Sequence, residues 1–229
     1  MYKNEKGDIK MSEENFLTQK YRDKLRFYCK KIIKKQSSDE DEWWDRSEIA
    51  AKRILTAICY RESSNIIYQS NKSVALPSIG YYYSIFHLSI ALLALDYTTK
   101  LSDLHHIKHK DLINLIYSKL IQRNLLPFHF HELFLDLKDL REYVNYEFDS
   151  LFYNKSQLDD FYCRTGEAFD SAIKLINEIH KAILDLNPIL YYIQGNIGDH
   201  FGDDILLNFL SEIDMKSVED YLLKHDLTT

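Results

Sequence analysis

Among the residues of this chain suited to chemistry are an arginine and its helical neighbours. Arg141 and Asn145 lie four apart in DLREYVNYEF, so a helix through this segment puts both on one face, beside the apolar stripe Leu137, Leu140 and Val144. A guanidinium presents a fixed fork of donors that suits a phosphate, and it stays charged at every physiological pH. It can stabilise negative charge building on phosphorus, but it cannot act as a general base. The competing structural role is a half-buried arginine paired with an acid, either Glu142 or one on a neighbouring helix. Tyr143 and Tyr146 flank the pair as contact or packing residues. A second arginine, Arg123, is followed six positions later by His129, with His131 two further on. Pro127 stands between them in what reads as a turn, so no continuous helical face joins Arg123 to His129 and the spacing reads as coincidence.

The other constellations are weaker. His105 and His109 are four apart with His106 alongside, a helical spacing that can hold zinc or nickel. No cysteine is near, and Asp103, Asp111 and Glu132 complete no metal motif, so the stretch reads as a solvated polar connection. No metal and no cofactor is expected. His87 falls on a stripe of small residues and reads as a core histidine with a hydrogen-bond partner. The basic run over 20–35 includes Lys24, Lys30, Lys31, Lys34 and Lys35 and is opposed within it only by Asp23. With Arg123, these lysines are the candidate nucleic-acid contacts, because Lys and Arg supply most sequence-independent affinity for phosphates. A solvated face, or neutralisation by the acidic residues of 39–48, is the plainer alternative. QGNIGDHFGDD lacks the alternating acids of a calcium loop and reads as a connector.

These side chains must be positioned by helices. The chain has 229 residues, 45% of them hydrophobic, with 6 glycines and 3 prolines, too few turn residues for an all-β fold. The expected class is all-α. Three scattered cysteines suggest a reducing compartment, and no signal-like run opens the chain, so a cytoplasmic protein is expected. Lys72 to Asp96 encloses a stretch without formal charge. Its unbroken apolar part is short for a bilayer span and carries Ser84, His87 and three tyrosines, so it reads as a buried helix and no membrane is implied.

Periodicity predicts helices over roughly 12–35, from Asp45 to about 68, 77–97, 111–123, 130–148 and 158–186. Ser12 and Asp45 are the expected caps of the first two, Asp45 with Glu48 three residues on. The 77–97 helix has two apolar stripes and a third of small residues (Gly80, Ser84, His87, Ala91, Ala94), which predicts the central, most buried element. Residues 188–229, with three of the six glycines, read as a C-terminal helical extension.

Three ordered segments carry a family resemblance. YYYSIFHLSIALLALD resembles the second helix of many HEPN proteins, KHKDLINLIYSKLIQRNLLP their next helix and its Leu-Leu-Pro turn, and LKDLREYVNYEF the helix with their Leu-Arg signature. The likeness spans about residues 47–185. It implies an antiparallel HEPN-like helical bundle over 47–187, preceded by a basic helix and acidic connector (1–46) and followed by the 188–229 extension. It also implies a homodimer and a component of a prokaryotic defence or toxin–antitoxin module that acts on RNA or regulates it. Catalytic members of the family are metal-independent ribonucleases that use an arginine and, four to six residues on, a histidine. Arg141 matches the arginine, but no histidine follows; Val144 and Asn145 stand where a HEPN subgroup has a small residue and Asp, ahead of Tyr146. The implied site is therefore Arg141, Asn145 and Tyr146 near a dimer axis, with His129 or His131 as the nearest candidate bases, reaching Arg141 only from a second chain. The other implied role is a non-catalytic interaction subunit that assembles with an antitoxin or a nucleotidyltransferase-like partner.

Overall fold

The computed structural model describes residues 19–70, 75–146 and 155–182. Their regular structure is wholly helical: α1 (Gln19–Ser38), α2 (Glu40–Gln69), α3 (Ala75–Leu95), α4 (His109–Ile116), α5 (Phe128–Tyr146) and α6 (Lys155–Ala182). A single 3₁₀ turn, Leu101–Asp103, precedes α4, and a π turn, Tyr117–Ile121, continues it. There is no strand among the described residues. Ser12, the end expected for the last helix near 186, and the 188–229 extension all lie outside them.

The charge-free segment is the centre of the bundle, as its composition requires. Tyr81, Tyr82, Ile85, Leu88 and Leu95 of α3 are all fully buried. α3 packs most extensively on α2 and also meets α4, α5 and α6. It is long and apolar enough to cross a membrane, yet neighbours inside the bundle bury 78% of its most apolar window. The small stripe permits the close α2–α3 approach. A Cβ placed on Gly80 would stand 1.8 Å from Ser64 Oγ and 3.2 Å from the Tyr60 carbonyl oxygen.

α2 begins earlier than expected. Asp39, not Asp45, is its cap and accepts a hydrogen bond from the Glu42 N–H at 3.1 Å. The acids Glu40, Asp41 and Glu42 thus form the first turn of a helix, where the dipole favours negative charge, and are not a connector. The reason is tertiary. Trp43 and Arg46 both lie in the interior, each 2% exposed, so the chain must already be helical there.

Arg46 ties this turn to the end of α3. Its guanidinium donates to Glu42 Oε1 from Nε (2.9 Å) and Nη2 (2.5 Å), to the Ala94 and Asp96 carbonyls from Nη1 (2.9 and 3.3 Å), and to the Thr99 carbonyl from Nη2 (2.6 Å). A buried cation here satisfies carbonyls that a helix C-terminus leaves without partners. The adjacent Asp96 is fully buried and accepts from Tyr28 Oη (3.1 Å), Arg123 Nη1 (2.8 Å), Thr98 Oγ1 (2.5 Å) and Thr99 Oγ1 (2.8 Å). α1, α2, α3 and the turn after α4 therefore meet in one polar knot. That turn reverses at Asn124, whose φ of 54° is the left-handed conformation that asparagine tolerates, and it seats Leu125 and Leu126 in the core.

Two outcomes follow from this packing. Replacing fully buried Ala91 with Leu should destabilise the fold by about 1–3 kcal/mol through overpacking, read as a fall in the denaturant midpoint. The Glu42 carboxyl is pulled down from 4.5 to about 2, first by its hydrogen bond to Lys35 and then by Arg46. A depressed carboxyl stabilises above its ordinary range and loses that contribution as pH falls. Thermal stability should therefore drop between about pH 4.5 and 2 in wild type and more shallowly in Glu42→Gln. Parallel profiles in the two proteins would contradict the assignment.

Candidate phosphate-binding site

The site is built where α5 and α4 lie against the first half of α3. The consecutive residues Tyr82 and Tyr83 point one buried and one half-buried ring toward α5. Arg141 lies across them, its Cζ 5.3 Å from the Tyr82 ring centre and 5.6 Å from that of Tyr83. This is cation–π geometry, worth about 0.5–2 kcal/mol depending on burial. No acid among the described residues pairs with the half-buried guanidinium, and its Nε is buried without a hydrogen-bond partner. Glu142, the acid that a structural role for Arg141 would recruit, binds Lys138 Nζ instead at 2.9 Å.

A histidine stands beside this cation, though not one of those expected. His109, the first residue of α4, hydrogen-bonds the Tyr82 hydroxyl through Nδ1. Its ring packs on Phe86 at 4.8 Å and on Tyr82 at 5.5 Å. Burial, and then the charge of Arg141, push the His109 pKa below its usual value, so the ring is neutral at pH 7. Burial also raises the Tyr82 phenol, which keeps its proton. Which partner donates depends on the imidazole tautomer: with the Tyr82 O–H donating into Nδ1, the His109 proton sits on Nε2. In that tautomer Arg141 and His109 Nε2–H are two donors flanking one aromatic surface. That arrangement has the donor chemistry to suit an anionic oxygen; a proton acceptor at His109 requires the other tautomer.

The remaining sequence-predicted residues are distributed elsewhere. Asn145 and Tyr146 follow Arg141 on the last turn of α5 and are exposed, Tyr146 by 77%. His129 and His131 occupy the opposite end of α5, roughly 15–18 Å from Arg141 along the axis; the His131 ring packs on Tyr117 at 4.8 Å and on Phe128 at 5.9 Å. Within one chain they are not brought to Arg141.

Arg123 faces inward. Besides Asp96 it donates to the Lys119 carbonyl and to Tyr97 Oη, both at 3.2 Å, and it stacks on Tyr28 and Tyr97. Its charge is met inside the protein by Asp96. Lys35 is likewise held by Glu42 at 2.6 Å and Asp39 at 3.8 Å. Lys30, Lys31 and Lys34 stay exposed on the outer face of α1, with Lys24 partly so and Phe27 61% exposed among them.

His87 is the hydrogen-bonded histidine that its position suggested. Arg53 Nη1 donates to its Nδ1 at 3.0 Å, and burial followed by the Arg53 charge takes its pKa down to about 3. His105 and His106 border an open depression with Asp103 and Asp111, and no group of three His, Cys, Asp or Glu residues among the described residues converges on a point. Sequence reasoning weighed His109 only as half of a metal-spaced pair. The available signal was its place at the start of the helix that follows the tyrosine-rich one. No family model, curated protein or solved structure matches the chain.

The geometry fixes a measurable titration. The His109 ring should titrate below 6.5 by NMR, and Arg141→Gln should move it upward, because a lowering charge is removed while burial remains. No response to Arg141→Gln would mean that the two side chains are not neighbours in solution.

Proposed function

We propose that this protein is a HEPN-like component of a prokaryotic defence or toxin–antitoxin module that engages RNA through a phosphate held at Arg141. The observation that carries the reading is the half-buried guanidinium over Tyr82 and Tyr83, unpaired by any acid among the described residues, with His109 beside it. A desolvated cation without a counter-ion is costly, and a phosphate oxygen would complete it with charge-assisted hydrogen bonds. The all-helical bundle and the segments quoted for the family resemblance agree with this reading. The exposed lysines of α1 would add sequence-independent attraction.

In a metal-independent cleavage, a base would take the proton of the 2′-hydroxyl as its oxygen bonds to phosphorus. The P–O5′ bond would break with the 5′-oxygen taking a proton from water, and Arg141 would neutralise the charge developing on phosphorus. His109 can be that base only in the tautomer that carries its proton on Nδ1, with Tyr82 as the acceptor. The absence of a histidine in the six residues after Arg141 also favours a second reading, an RNA-binding or interaction subunit without catalysis that assembles with an antitoxin or a nucleotidyltransferase-like partner. In either reading the protein is proposed to be a dimer. Tyr117 of the π turn and Phe128 and Leu135 of α5 supply exposed apolar surface for such contacts.

The test is RNA binding and cleavage by the full chain in chelator. Wild type should bind single-stranded RNA, and Arg141→Ala should weaken binding or, where cleavage is seen, lower its rate by about 10²–10³-fold, as for loss of one preorganised donor. Binding with no cleavage, still lost in Arg141→Ala, selects the non-catalytic subunit. Equal behaviour of wild type and Arg141→Ala removes Arg141 from the site.

A further inference from the structure

A second half-buried guanidinium lies on the same face. Arg53 of α2 is held only by neutral His87, and no acid pairs with it among the described residues. Between Arg53 and Arg141 runs a continuous set of rings. Tyr60 lies nearly parallel to His87, with centroids 5.5 Å apart and planes 12° apart, and stacks on Tyr83 at 5.4 Å and 29°. Tyr83 in turn lies beneath Arg141. The outermost member, Tyr60, is 39% exposed, and its ring makes all of its described stacking contacts on this side. Two cations without counter-ions, separated by an exposed aromatic platform, match the alternation of phosphate and base along an unpaired strand. Stacking on a tyrosine needs a base whose face is free, which a duplex does not offer.

We infer that Arg53, Tyr60, Tyr83 and Arg141 form a single-stranded RNA track, with one base stacked on Tyr60 and the phosphates on either side of it taken by Arg141 and Arg53. This rests on the proposed phosphate role of Arg141 and extends it to a strand preference. Preorganisation is built in. His87 fixes Arg53, and the stack of His87 and Tyr83 fixes the Tyr60 ring, so little side-chain freedom is lost when a base docks. Each neutralised phosphate releases counter-ions, so each arginine contributes to the salt dependence of binding.

The probes are a fluorescent single-stranded ten-nucleotide RNA of mixed sequence and the duplex formed with its complement, titrated by anisotropy against the full chain in chelator. Helical content of each variant is checked by circular dichroism. Tyr60→Ala should weaken binding of the single strand by about 5- to 150-fold, the range for loss of one base–aromatic stack, and leave duplex binding unchanged. Tyr60→Phe, which keeps the ring, should bind within about twofold of wild type. Arg53→Gln should lower the slope of log affinity against log salt by about one, as for loss of one phosphate contact. Wild-type single-strand affinity in Tyr60→Ala, with binding lost in Arg141→Ala, overturns the track and leaves the Arg141 reading standing. Equal weakening of single strand and duplex in Tyr60→Ala, or loss of binding in Tyr60→Phe, also overturns it. No RNA binding by wild type overturns both.

Discussion

The bundle depends on one buried cation. Arg46 is 2% exposed, and its donors meet Glu42 and the carbonyls of Ala94, Asp96 and Thr99. An interior guanidinium is tolerated only when its donors are satisfied, and removing one partner of such a group typically costs about 3–5 kcal/mol. Arg46 therefore fixes where α2 starts, where α3 stops and how the chain leaves α3. Asp96, next to it, draws Tyr28 from α1 and Arg123 from the turn after α4 into the same knot. With that end of α3 clamped, the other end presents Tyr82 and Tyr83 at a fixed position to α4 and α5.

The partially or fully buried arginines of the described bundle divide by how their charge is met. Arg46 and Arg123 each face a carboxylate at 2.5–2.8 Å, from Glu42 and Asp96. Arg164 faces two, Asp136 at 2.6 Å and Asp160 at 3.2 Å, and Arg61 faces Glu62 at 3.4 Å. Arg141 and Arg53 meet only rings and a neutral imidazole. Charge pairing, more than exposure, separates the arginines that hold the fold from those able to receive an anion. Arg123 shows why spacing alone misleads: it stands six residues before His129, yet its guanidinium is turned into the protein.

Much of the fold was legible in the sequence, because composition and periodicity report burial directly. A helix apolar on two faces and small on the third has nowhere to lie but the centre, and Tyr81, Leu88 and Leu95 are fully buried there. The start of α2 was not legible. Asp39 with Glu42 and Asp45 with Glu48 have the same cap-like spacing, and only the burial of Trp43 and Arg46 decides between them. The candidate site was half legible. Arg141 stood out through the family resemblance, and the exposed lysines of α1 by their density. His109 and Arg53 come from distant points in the chain, and no periodicity links them to Arg141. The histidines nearest to it in sequence, His129 and His131, sit on the same helix at a separation that a single chain cannot close.

The central claim is that the guanidinium of Arg141, set over Tyr82 and Tyr83, receives a phosphate of RNA without a metal. The most direct measurement is a crystal structure of the full chain with a cleavage-resistant 2′-deoxy-substituted single-stranded oligonucleotide, grown in chelator. The account predicts a phosphate oxygen within hydrogen-bond distance of Arg141 Nη1 or Nη2, with His109 Nε2 facing the same phosphate. Finding Arg141 paired with a carboxylate, with the oligonucleotide bound only along the lysines of α1, would contradict it.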